Sequence, residues 1–255
     1  MTLEDIKVTI EDHVHAAKCA IEAGFDGVEI VREFPFPPKK TSHLTIIQSS
    51  ANGYLFDQFL NDKTNLRKDH YGGSEENRSR FILETLDAVA SAIGHSKTAV
   101  RFSPWGTVMM PLSSDPISTW TYVCREVEKR RLAYVCLTQP RTDLFLPSSL
   151  KLENLHQAAE HGDIAAKKED LHLKHFEKVL INTPKLATGE YNGENCFEEV
   201  EKGELDAVTF GRWFISNPDL VEKVRLGLKL TPWDRAGFYS GGKEGYTDYP
   251  VGVVE

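Results

Sequence analysis

Short apolar runs that end in polar or glycine-bearing loops recur along the chain, at residues 25–30, 98–103, 133–137, 185–188 and 205–210. Runs this short, without strict alternation, predict strands buried on both faces of a parallel sheet. Between them apolar residues fall at helical spacing. Phe81, Leu83, Leu86, Val89 and Ile93 mark one helix, closed by Gly94, where glycine supplies a left-handed cap. Ile6, Ile10, Val14 and Ala17 mark another, and Thr2 with Asp5 ahead of them forms a capping-box start. A third helix is predicted after Asn217-Pro218, with Asn as cap and Pro in the first helical position, burying Leu220, Val221 and Val224. Strand alternating with helix defines an α/β fold.

Composition narrows the partners. With 255 residues, 40% of them hydrophobic, the chain has enough apolar surface for one sizeable core. A net charge of -8 and a pI near 5.6 argue against nucleic acid or an anionic membrane as partner, since both reward clustered Lys and Arg. The first residues carry charge where a signal peptide has an apolar core, and no apolar stretch is long enough to span a bilayer, so a cytoplasmic chain is expected. Cys19, Cys124, Cys136 and Cys196 are widely spaced and contain no C-x-x-C pair, which argues against a metal site or a disulfide framework. Cys136, inside an apolar run, reads as a small buried hydrophobe. The polar stretch from 141 to 177 is rich in histidine; His172 and His175 lack a carboxylate or cysteine at ligand spacing and read as an exposed helix face, with no metal.

The most specific stretch is Asn52-Gly-Tyr-Leu-Phe-Asp-Gln-Phe-Leu60, followed by Asn65-Leu-Arg-Lys-Asp-His-Tyr-Gly-Gly-Ser-Glu-Glu-Asn-Arg-Ser-Arg-Phe81. With Ala99-Val-Arg-Phe-Ser-Pro-Trp105, Phe210-Gly-Arg-Trp-Phe-Ile-Ser-Asn-Pro-Asp-Leu220, Phe238-Tyr239 and Gly245-Tyr-Thr-Asp-Tyr-Pro250, it resembles the old yellow enzyme family, in that order along the chain. The resemblance, closest to the fungal ene-reductase type, implies a (β/α)8 TIM barrel holding FMN. NADPH or NADH would serve as reductant, and a small enone or enal as substrate. Aligned this way, the five runs are strands four to eight of an incomplete barrel, forming one partial domain over 1–255. A five-strand arc leaves two unpaired edges, which a partner must cover if the product is to be stable.

One segment breaks the pattern. The family runs from the strand at Gly27-Val-Glu-Ile30 directly into a His-Ser-Ala-Asn-Gly-Tyr sequence, whereas here residues 31–49 intervene. Val31 replaces the family histidine when aligned from the left, and Ser49 when aligned from the right; His43 lies in a proline-rich loop setting. The proline run at 35–38 cannot continue a central strand. The segment reads as an aberrant insertion, from an unspliced intron or a shifted exon boundary.

By the resemblance, Tyr54 protonates the substrate carbon opposite the hydride, and Asn52 keeps one of two donors to the substrate carbonyl oxygen. Read alone, Tyr54 is an aromatic anchoring a helix start. Arg101, a cation in an apolar strand, needs an anion; the resemblance sets it at the N1/O2 edge of the flavin, and an ion pair with a barrel carboxylate is the alternative. Gly189, Gly211 and Arg212 occupy the loops after strands seven and eight, where TIM barrels bind phosphate, although Glu190 stands where the family has a small or neutral residue. Phe238 and Tyr239 match an aromatic pair near the flavin, or are simple core. Tyr71-Gly72-Gly73-Ser74 reads as a turn capping a helix, with Asn77, Arg78 and Arg80 as support. The expectation is an FMN-dependent reductase of activated alkenes by ancestry, in general enone reduction or in secondary metabolism such as the ergot-alkaloid pathway, and inactive as written. A full protein with an upstream start, or a non-catalytic interaction protein, are the alternatives.

Overall fold

The computed structural model of the chain describes residues 1–30, 52–143, 145–238 and 242–252. The inserted segment 31–49 with Val31, His43 and Ser49, and also Tyr239, lie outside the described residues. In chain order the elements are α1 (Leu3–Glu22), β1 (Val28–Ile30), α2 (Leu55–Leu60), α3 (Glu75–Ile93), β2 (Thr98–Phe102), α4 (Pro116–Glu128), β3 (Val135–Thr138), α5 (Ser148–Glu160), α6 (Lys174–Glu177), β4 (Lys185–Thr188), α7 (Glu198–Glu201), β5 (Ala207–Thr209), α8 (Arg212–Ser216) and α9 (Leu220–Arg225). The strands are ordered β1-β2-β3-β4-β5 in one sheet. β1 and β3 both run parallel to β2, with Val28 opposite Thr98 and Val100 opposite Val135. A strand overlaps each of the five predicted apolar runs, and the architecture is that of an incomplete α/β barrel, but burial on both faces holds only for β2, apart from Arg101, and β3; β1 and β4 are half-buried except at Ile30 and Ala187, and β5 is half-buried throughout.

Two compact units, Met1–Leu186 and Ala187–Glu255, divide the chain inside β4. In the first, Val100, Phe102, Val135 and Leu137 are fully buried beneath α3 and α4, which contribute Phe81, Leu86, Val123 and Val127. Phe56 of α2 meets the edge of Phe81 at 4.7 Å, and Phe102 packs on Trp120 at 5.2 Å. Cys136 is buried in β3 as a small hydrophobe. The capping box of α1 is present: Asp5 N donates to Thr2 Oγ1 at 3.1 Å, and Thr2 N donates to Asp5 Oδ2 at 2.6 Å. Ser74 caps α3, and Gly94 ends it at φ 103, ψ 143, a positive φ but an extended ψ rather than the left-handed helical cap expected.

Arg78, buried in α3, holds the turn before its own helix. Its guanidinium donates to Leu60 O at 2.7 Å, to Gly73 O, and to Thr119 Oγ1 at 3.1 Å. Asn77 Nδ2 donates to Gly72 O at 3.1 Å, and Arg80 donates to His70 O at 2.8 Å and to Asn77 Oδ1 at 3.0 Å. Arg78→Leu is expected to leave two carbonyls and a hydroxyl without this donor, lowering stability by about 3 kcal/mol in urea unfolding. An unchanged midpoint would refute the supporting role.

Two helical expectations are corrected. In the second unit α9 starts at Leu220 with Asp219 before it, later than Asn217-Pro218 suggested, and Val221 is 64% exposed although Leu220 is buried. Asn217 instead ties a loop: it accepts from Thr231 N at 2.8 Å and donates to Thr231 O at 3.0 Å. In the first unit His172 precedes α6 and is half-buried, its ring stacked on that of His175 at 4.5 Å. Burial and the neighbouring His175 lower the pKa of His172. Among the described residues no group of three or more His, Cys, Asp or Glu is arranged to hold a metal, and no helix is long and apolar enough to cross a membrane.

Candidate functional site

In the first unit the predicted chemistry gathers where β2 ends. Asn52 and Gly53 both adopt left-handed backbone, at φ 56 and 81. Gly53 is obligatory there, because a Cβ at this position would lie 1.9 Å from Val108 O. Two side chains hold this turn. Asn52 N donates to Ser103 Oγ at 2.6 Å, Ser103 Oγ donates to Asp57 Oδ2 at 3.2 Å, and Gly53 N donates to the same Asp57 oxygen at 2.8 Å. Tyr54 follows as the residue before α2, buried to 8% exposure, and its carbonyl accepts from Gln58 N at 2.8 Å.

Asp57 is 2% exposed, and burial pushes its carboxyl up to about 7 against the pull of the hydrogen bonds from Gly53 and Ser103. Sequence reasoning did not single it out. The signal was present, since an acidic side chain in the third position of a helix commonly reaches back to the N–H groups before it, as in a capping box.

Arg101 on β2 meets Glu29 on β1, Nη2 to Oε1 at 2.8 Å. Tyr134, immediately before β3, also hydrogen-bonds Glu29, and its pKa is raised by burial and by that carboxylate. Of the two anions expected for Arg101, the structure displays the barrel carboxylate. A second missed residue is Lys151, set in the stretch read as polar surface. It is 1% exposed, with Nζ on Thr107 Oγ1 and 3.8 Å from Asp143 Oδ2, and burial lowers its pKa to about 8.

In the second unit Gly189 and Glu190 take consecutive positive φ values, 114 and 57. A Cβ added at Gly211 meets nothing within 4 Å, so the backbone beside Arg212 is open to a ligand. Arg212 Nη1 pairs with Glu190 Oε1 at 3.1 Å, and the guanidinium lies over Trp233, 5.1 Å from its centroid. Phe238 is half-buried against Trp233 at 5.8 Å. Room and a cation therefore suit a phosphate, with one obstacle: the carboxylate of Glu190 already engages that cation. Trp233 is a further residue that the sequence did not single out.

A parallel α/β sheet whose Asn-Gly-Tyr turn lies between β1 and β2 in the chain and is held at the end of β2 by Ser103 describes part of a barrel architecture, and comparison with known proteins gives the family. Residues 45–231 match the NADH:flavin oxidoreductase / NADH oxidase family, and the chain belongs to it. It is 38% identical to flavin oxidoreductase hxnT of Emericella nidulans, over 98% of this chain and 60% of that protein. Identity is 39% to enoate reductase 1 of Kluyveromyces lactis, over 98% and 57%. Among solved structures, the old yellow enzyme homologue from Zymomonas mobilis superposes with a TM-score of 0.78 at 29% identity, covering 98% of this chain and 60% of that one. Morphinone reductase in complex with tetrahydroNAD gives 0.74 at 32%, covering 98% and 57%. The chain thus spans less than two thirds of the length of these relatives.

Proposed function

We propose that the chain derives from, and retains part of the machinery of, an FMN-dependent reductase of alkenes conjugated with a carbonyl. FMN would supply the hydride, received from NADPH or NADH. Tyr54 would give its phenolic proton to the other alkene carbon, and Asn52 would donate a hydrogen bond to the substrate carbonyl oxygen as negative charge develops there. By the resemblance, Arg101 of the first unit would meet the pyrimidine edge of a flavin; taken by itself, the second unit offers Gly189, Gly211 and Arg212 to a flavin phosphate and Phe238 to its ring, with Tyr239 outside the described residues. The observation that carries this reading is the turn pinned by Ser103 and Asp57, which fixes Asn52 and Tyr54 beside the C-terminal end of β2. Active sites of α/β barrels are built at that end of the strands.

Turnover by the chain as written is low or absent. The segment 31–49 separates Ile30 from the Asn-Gly-Tyr turn and leaves Val31 or Ser49 where a second carbonyl donor belongs. Loss of one such donor costs on the order of 100- to 1000-fold. Deleting residues 31–48 together with Ser49→His is therefore expected to raise enone-dependent NADPH oxidation by about 100-fold, measured with cyclohexenone on protein that keeps a visible flavin spectrum after removal of free FMN. In that restored chain Tyr54→Phe should slow the enone step by roughly 100- to 10,000-fold while leaving reduction by NADPH unchanged. A restored chain that binds flavin but gains no enone turnover would sink the proposal.

A further inference from the structure

The ion pair between Arg212 and Glu190 bears on which flavin the second unit accepts, an inference that rests on the flavin reading above. Three observations meet at this point. The Glu190 carboxylate lies 3.1 Å from the guanidinium, Trp233 covers a face of the same guanidinium, and Glu190 holds a backbone φ of 57 that non-glycine residues rarely adopt. Asn195 Nδ2 donates to Glu190 O at 3.1 Å, so the strained loop is anchored from its own far side.

A phosphate monoester brings a charge of about -1.5 to -2 at neutral pH. To reach Arg212 it must displace Glu190 from the fork or share the fork with it, and sharing sets two anions within a few ångströms of each other. A terminal hydroxyl faces no such conflict, since it is neutral and can donate to the carboxylate. We propose that Glu190 is a resident anion that neutralises Arg212, so that this chain takes a flavin ending in a hydroxyl, riboflavin, at least as readily as FMN.

The test is equilibrium binding of FMN and of riboflavin to the full chain, followed by quenching of flavin fluorescence, with Glu190→Gln and Glu190→Gly beside the unaltered protein. Glutamine keeps the shape and removes the charge, while glycine also accommodates the positive φ and so guards against a misfolded variant. For the unaltered chain the two dissociation constants are expected to agree within about threefold. In either variant FMN should tighten by about tenfold, with riboflavin changing less than twofold. FMN bound at least tenfold more tightly than riboflavin by the unaltered chain, with a ratio indifferent to Glu190, would overturn the inference and leave the flavin reading standing. If no variant quenches either flavin, the flavin reading falls and takes this inference with it.

Discussion

Gly53→Ala is expected to unfold the Asn-Gly-Tyr turn, costing about 3 kcal/mol or more. The added methyl would lie 1.9 Å from Val108 O, a clash with backbone, which cannot swing aside as a flexible side chain would. The φ of 81 adds strain that any L residue meets there. Relief requires the chain around Val108 or the turn itself to move, and either movement breaks the 2.8 Å bond from Gly53 N to Asp57. Tyr54 and Asn52 would leave their positions together, so the variant of the restored chain should lose enone reduction along with stability. Urea unfolding and turnover measured on the same preparation check this. A variant as stable as the parent would mean that the turn is not packed against Val108.

Stability of the first unit is expected to depend on pH through Asp57. Its folded pKa, near 7, lies above the ordinary carboxylate value of 3.8, because burial penalises the charge by more than the two hydrogen bonds favour it. The sign follows from linkage: the folded protein keeps a proton that the unfolded chain releases. This contribution to stability is therefore fully present below about pH 4 and is lost as pH rises to about 7, at roughly 1.4 kcal/mol per pH unit across the window. Asp57→Asn retains an acceptor for Gly53 and Ser103 but cannot ionise, so its stability should rise relative to the parent between those limits. Asp57→Ala removes the acceptor and should cost about 2 kcal/mol even at low pH. Parallel pH profiles for the parent and Asp57→Asn would show that the carboxyl does not titrate in this range.

The sequence by itself determined the positions of the five strands, the start of α1 and the family. Five apolar runs mark the five strands, of which β2 and β3 are buried almost throughout while β1, β4 and β5 are largely half-buried, and Thr2 with Asp5 marks the start of α1 because a cap is a local hydrogen-bond pattern. The ordered motifs around Asn52-Gly53-Tyr54 and Gly211-Arg212 carried the family in the same way. Only the tertiary structure decided the partners. Ser103 meets Asp57 across 46 positions, Glu190 meets Arg212 across 22, and Arg101 on β2 meets Glu29 on β1. Lys151, placed by sequence in a polar stretch, is buried beside Thr107 and Asp143, whereas Val221, placed in a core, is exposed. Periodicity reports how apolar a position is and which neighbours share its helix or strand. It carries no record of which distant charge arrives opposite, because that is set by strand register and by the paths of the loops between elements.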